Sequence, residues 1–160
     1  MGIQNADELT DNDEFLSDEE IQKKVKEVRT KRGKQSKRRG DDAERHFMNE
    51  FKKMGHDKCM TSRNGSKAYD AMGIDLINLP INVQVKQGAQ KSLSIKNTLK
   101  TIKERIDKQG TETDKENPLV LIHRTPINKR RTEFDDIVSM TFADFQKIFK
   151  CYKQTDNNQE

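Results

Sequence analysis

The chain has no tryptophan, only two cysteines and three prolines, and just 6% aromatic residues among its 160. Each shortage excludes something. Cys59 and Cys151 stand far apart and form no CxxC pair, which removes a disulfide scaffold and a cysteine-based zinc site. His46, His56 and His123 are scattered without zinc-ligand spacing. No apolar run approaches the ~20 residues of a membrane span. The opening MGIQNADELT lacks the basic-then-apolar layout of a signal peptide. These absences predict a soluble, reduced, intracellular protein with no membrane partner. Hydrophobic residues are also short, at 31% against 36% charged. That supply suits a packed domain of roughly 110–120 residues with polar extensions.

Charge is present in quantity and is unevenly spread. Residues 1–20 hold eight acids and no Lys or Arg. Residues 29–39, RTKRGKQSKRR, hold seven bases in eleven: Arg29, Lys31, Arg32, Lys34, Lys37, Arg38 and Arg39. Lys129-Arg130-Arg131 forms a second cluster. Bunched positive charge favours a polyanion, because each neutralised phosphate releases condensed counterions. A solvated or targeting tail explains a basic run equally well.

Hydrophobic spacing supplies the elements. Ser17 followed by Glu20 has the capping-box pattern, predicting a short helix with Ile21, Val25 and Val28. The basic run, with Gly33 and Gly40, reads as a flexible arm. Ala43, Phe47, Phe51 and Met54 recur at helical spacing up to Gly55. HDKCMTSR predicts a strand and NGSKAYDAMG a polar loop. Ile95, Leu99, Ile102 and Ile106 make a helical stripe that stops at Gly110, with TETDKEN as a loop after it. Leu119–Ile122 is a buried-strand run, and Ile137–Met140 predicts another strand. Thr141 would cap a last helix with Phe142, Phe145, Ile148 and Phe149 inside, the three Phe forming a core stripe or an interface. The order is helix, three strands, helix, two strands, helix, which predicts an α/β sandwich with a mixed central sheet and helices on each face. The expected organisation is a leader and arm over 1–40, a domain over 41–150 and a tail over 151–160.

The chemistry concentrates in GIDLINLPINVQVKQG, residues 73–88. Two apolar runs surround Asn78–Pro80, which suits two strands and a turn. Alternation points Gln84 and Lys86 to one face of the second strand and Val83 and Val85 to the other. The first strand opens on Asp75.

Glu44 on a helix, Asp75 at a strand start and Gln84-Val85-Lys86 on the next strand resemble the PD-(D/E)xK nuclease superfamily. Lys37-Arg38-Arg39-Gly40, Glu44-Arg45 and Arg63-Asn64-Gly65-Ser66, in that order, extend the resemblance to archaeal-type Holliday junction resolvases. It covers roughly residues 37–150 and is strongest over 38–88. It implies a restriction-endonuclease-like sandwich, a homodimer, four-way DNA junctions as substrate, and Mg²⁺ with Mn²⁺ as a substitute. Phosphodiester hydrolysis needs an activated water and a stabilised developing charge, which a hard cation held by oxygens supplies. Asp75, the Gln84 amide oxygen, the Val85 carbonyl and Glu44 are the candidate ligands. Lys86 would orient the water or stabilise the phosphorane. Ser66 matches the resolvases' loop serine, although a turn role explains it as well. Residues 29–39 with Arg45 and Arg63 are the candidate DNA contacts.

Gln84 stands where the family has an acid. A neutral amide lowers the negative charge of the site and should weaken its hold on a metal. A restriction- or repair-type nuclease of the same superfamily, or a non-catalytic DNA-binding module, therefore stays open. A phage or mobile-element recombination protein would fit the small size and the intracellular expectation.

Overall fold

The computed structural model describes residues 17–88 and 94–156, with side chains described through Cys151. Residues 1–16 of the acidic leader, the first residues expected in the helix after Gln90, and the last four residues of the tail lie outside the described residues. The chain divides into two units, Met1–Ser36 and Lys37–Glu160.

In the first unit the capping box forms as its spacing predicts. Ser17 N donates to Glu20 Oε2 at 3.0 Å, and Glu20 N donates back to Ser17 Oγ at 3.4 Å. The helix it opens, α1, runs Asp18–Lys53. The basic run at 29–39, expected as an irregular arm, is thus helical. Lys, Arg and Gln dominate it and are good helix formers, and Gly33 and Gly40 each cost only about 1 kcal/mol against Ala. Residues 17–38 are exposed along their whole length.

In the second unit the other elements are β1 (Met60–Thr61), α2 (Ser62–Gly65), α3 (Lys67–Met72), β2 (Leu76–Ile77), β3 (Asn82–Gln87), α4 (Ile95–Gln109), α5 (Glu112–Glu116), β4 (Leu119–Pro126), β5 (Phe134–Ser139) and α6 (Phe142–Asp156). The five strands form one mixed sheet in the order β1-β2-β3-β4-β5. Of these neighbours only β3 and β4 are parallel, with Gln84 opposite Leu121 and Lys86 opposite His123. A parallel pair requires a crossover, and α4 and α5 provide it.

Alternation along the strands divides the core in two. Val83, Val85, Val120 and Ile122 pack with Ala43 and Phe47 of α1, Cys59 and Leu76, and with Ile148 of α6. Leu119 and Leu121 pack on the other side with Leu99, Ile102 and Ile106 of α4 and with Met72 and Ile74. The fold is therefore α/β, with helices on both faces of a mixed five-stranded sheet.

Four local expectations differ from the structure. HDKCMTSR yields a strand of two residues, because Ser62 turns into α2. The polar loop before Asp75 is mostly α2 and α3, and it ends at Gly73 with φ +86°. TETDKEN holds α5, whose Thr111 and Asp114 cap each other reciprocally. The Phe stripe of α6 is not core: Phe142, Phe145 and Phe149 are 73%, 47% and 48% exposed. The polar residues between them, Ala143 apart, leave Ile148 to pack on the sheet.

Candidate active site

Asp75 lies just before β2, held by main-chain bonds on both sides. Ser62 N donates to Asp75 O and Asp75 N donates to Val83 O, each at 2.8 Å. This fixes its side chain over β3, where Oδ2 accepts from Val85 N at 2.8 Å and from the Gln84 side-chain amide. Gln84 Nε2 also lies 3.2 Å from Val85 O. One amide NH₂ therefore bridges two oxygens, a carboxylate and a carbonyl. Which end of the amide carries nitrogen follows from hydrogen bonding alone. Turning it over would present Oε1 beside the Asp75 carboxylate, an arrangement that repels unless a cation joins the two.

Glu44 comes from the part of α1 that packs on the sheet, beside Ala43 and one turn before Phe47. It is as buried as Asp75 and Gln84, at 5% exposed against 8% and 4%. Its Oε1 accepts from Arg63 Nη2 at 2.6 Å, and the other arm of that guanidinium pairs with Asp41. Asp41, Glu44, Arg45, Thr61, Arg63 and Asn64 line a cavity of about 230 Å³. A second cleft, of about 260 Å³, lies between β3 and α4 and is lined by Gln84, Lys86, Asn97, Thr98, Thr101, Ile102 and Arg105.

Electrostatics tie these groups together. Burial, then the Asp75 and Asp70 carboxylates, push Glu44 up to about 7, with the Lys86 ammonium opposing. The Arg63 guanidinium in contact with it acts in the same direction as Lys86. Burial likewise raises Asp75 to about 6, opposed by the Val85 N–H, Lys86 and Arg63. Glu44 and Asp75 are thus two electrostatically coupled carboxyls that burial holds against ionisation, with the Lys86 charge acting on both.

Of the residues predicted from sequence, Glu44, Asp75, Gln84, Val85, Lys86 and Arg63 come together. Lys86 is exposed at the rim, while Gln84 is buried on the same face of β3, as the alternation predicts. Ser66 stands apart from them. It sits at the N-terminus of α3 with no side-chain cap bond, and no described contact joins it to the acids. Arg45 pairs with Asp42 at 2.5 Å. Arg29, Lys31, Arg32, Lys34, Lys37 and Arg38 lie exposed on α1, and Arg39 is half-buried.

Sequence reasoning overlooked Asp41, Ser62 and Arg105. Asp41 shares Arg63 with Glu44. Ser62 is fully buried, and its Oγ has no hydrogen-bond partner among the described residues. Arg105 was legible as the fourth member of an Asn97, Thr98, Thr101, Arg105 face at helical spacing beside the apolar stripe.

Among the described residues, no three His, Cys, Asp or Glu side chains cluster as a metal-binding set. The oxygens that could hold a metal are of mixed type: the Asp75 and Glu44 carboxylates, the Val85 carbonyl and, with the Gln84 amide turned over, its oxygen. Hard divalent cations accept such oxygen sets, and Mg²⁺ commonly takes only one or two carboxylates. Comparison with known proteins adds no assignment: no family model, no curated protein and no solved structure matches this chain.

Proposed function

We propose that this chain is a metal-dependent DNA endonuclease of the PD-(D/E)xK type with a restriction-endonuclease-like fold, acting on branched four-way junctions. The observation that carries the reading is the meeting of Asp75, Gln84 and the Val85 carbonyl at one point. Buried Glu44 and the Lys86 ammonium lie within electrostatic reach of it.

Asp75, Gln84 through its amide oxygen, Val85 O and Glu44 would hold Mg²⁺ or Mn²⁺. When bound, the metal supplies Lewis acidity and a nucleophilic water. The side chains do the remaining work. Lys86 places a fixed positive charge at the mouth of the site, where it orients the attacking water and offsets charge on the phosphate. Arg63 neutralises Glu44 and Asp41 in the resting protein. Once Glu44 faces a cation, that guanidinium is free to take a phosphate oxygen. The exposed bases of α1 track the backbone without reading bases. Symmetric cutting of a two-fold junction calls for a two-fold dimer.

A second reading is a DNA-binding module with a degenerate site. The neutral Gln84 and the Arg63–Glu44 ion pair favour it, since both reduce the negative charge a metal would meet. Cleavage of a labelled four-way junction beside matched linear duplex, in Mg²⁺ and in Mn²⁺, separates the readings. The proposal expects paired, symmetric nicks in the junction only, lost at least ~10³-fold in Asp75→Ala, since several kcal/mol of charge stabilisation go with the ligand. Cutting of the duplex would indicate a restriction- or repair-type enzyme. Binding without cutting at any metal concentration would leave the module.

A further inference from the structure

The cleft between β3 and α4 differs from the rest of the site in holding no acid. Its lining is Gln84, Lys86, Asn97, Thr98, Thr101, Ile102 and Arg105. Two cations, two hydroxyls and two amides face one space. Neither Lys86 nor Arg105 forms an ion pair among the described residues. The neighbouring acids of α4 are turned to lysines instead: Glu104 to Lys100 at 3.9 Å and Asp107 to Lys103 at 3.6 Å. The helix packs through Leu99, Ile102 and Ile106, so the Asn97, Thr101 and Arg105 edge is left exposed.

Arg105 also reaches the catalytic groups. A Cβ placed on Gly73 would lie 3.1 Å from Gln84 Oε1 and 3.6 Å from Arg105 Nη1. The guanidinium and the candidate ligand amide therefore crowd over the same glycine, which leaves both room by having no side chain.

We infer that this cleft is a phosphate subsite, in which Arg105 and Thr101 hold the DNA phosphate adjacent to the one cleaved at Asp75 and Gln84. The inference rests on the nuclease reading for the identity of the polyanion. A guanidinium suits the task because its planar donors match phosphate oxygens in pairs. A base is the poorer occupant, since no aromatic ring lines the cleft to stack on it. A cation is the poorer occupant too, since the described lining holds two positive charges and no carboxylate. The site would fix the strand's register relative to the metal ligands, so that only one phosphodiester reaches Lys86.

Binding of a labelled four-way junction by the full chain tests this, in EDTA and over a range of NaCl, for wild type, Arg105→Gln, Arg105→Lys and Thr101→Val. Arg105→Gln should weaken binding about tenfold at low salt and reduce the slope of log affinity against log salt by about one. Arg105→Lys should keep the slope, and Thr101→Val should lose a few-fold in affinity with the slope unchanged. A junction carrying a neutral methylphosphonate at the adjacent phosphate should bind wild type as weakly as Arg105→Gln binds the ordinary junction. The two changes combined should cost no more than either alone. Unchanged affinity and slope in Arg105→Gln, or additive effects of the two changes, would overturn the subsite. If wild type cuts the junction under those outcomes, the nuclease reading survives alone. If wild type binds but never cuts, the slope still decides the subsite while the nuclease reading falls. A wild-type chain that binds no DNA overturns both.

Discussion

The cavity beside Glu44 and the cleft beside Lys86 are similar in size, about 230 and 260 Å³, and opposite in chemistry. The first gathers Asp41 and Glu44, which share the Arg63 guanidinium, while Arg45 beside them pairs with Asp42. The second gathers Lys86 and Arg105 with no acid in its lining. Gln84 lines the second and hydrogen-bonds to Asp75, whose carboxylate is coupled electrostatically to Glu44 in the first. The proposed hydrolysis of a phosphodiester would use this division, with a cation on the attacking side and an anion on the bound side. In the first cavity the charges pair, as Arg124 and Asp136 do at 2.9 Å across β4 and β5, whereas Lys86 and Arg105 in the second form no ion pair among the described residues.

After loss of Asp75 itself, breaking the division at its positive end should have the largest effect. Lys86→Met should slow junction cleavage by roughly 10²–10³-fold, in the range found when one preorganised electrostatic contact is removed. Junction binding in EDTA should change only a few-fold. An equal loss in binding and in cutting would make Lys86 a mere DNA contact.

The acidic end should show itself in stability against pH. Glu44 and Asp75 have folded-state pKa values of about 7 and about 6, above their ordinary 4.5 and 3.8. The folded protein therefore binds protons more tightly than the unfolded chain. The associated stability is fully present below about pH 4 and is lost as pH rises through 6 and 7. Denaturant unfolding in EDTA should lose roughly 4 kcal/mol between pH 5 and pH 8, since each tenfold difference in proton affinity between the two states is worth about 1.4 kcal/mol. Asp75→Asn should flatten that slope, and Mg²⁺ should oppose it by binding the ionised acids. A stability that rises over this interval would remove the buried acids from the account.

Gln84→Glu sharpens the contrast by adding a charge to the acidic side. It should lower the metal concentration for half-maximal cutting by about tenfold, equal to ~1.4 kcal/mol of added attraction. The same change should destabilise the metal-free protein at pH 8, where three carboxylates would share one buried site. The smallest effect concerns the floor on which both sides rest. Gly73 has φ +86°, and a Cβ there would press Gln84 Oε1 at 3.1 Å and Ile102 Cγ1 at 3.4 Å. Gly73→Ala should cost about 1 kcal/mol or more in unfolding experiments and displace Gln84 from Asp75.

How far the sequence announced this molecule depends on the kind of signal each segment carries. The sheet was legible because β4 and the α4 stripe are written in apolar residues whose spacing matches their geometry. Gln84 and Lys86 were legible because strand alternation is strict. The helix at 29–39 was hidden, since a run of Lys and Arg has helical propensity but no periodic apolar face to reveal it. The short helices α2, α3 and α5 were hidden for the opposite reason: at four to six residues they rest on caps and tertiary contacts rather than on a pattern of their own. Thr111-x-x-Asp114 was a readable cap and marks α5 in hindsight. The Phe142, Phe145 and Phe149 spacing read as core, but periodicity states only that three residues share a face. Which side of the helix meets the sheet was decided by Ile148. The partners of Arg63 and Arg105 were hidden as well, because pairing with Asp41 and Glu44, or facing Gln84 over Gly73, depends on contacts between distant segments.

The most direct test of the central claim is a calorimetric titration of the full chain with Mn²⁺ at pH 8, where both buried acids are ionised. The account predicts saturable binding at the Asp75 site, abolished in Asp75→Ala and tightened in Gln84→Glu. The same titration should bring Arg63 off Glu44, so that Arg63→Gln leaves the Mn²⁺ site intact. Absence of binding in wild type, or equal binding in wild type and Asp75→Ala, would contradict it.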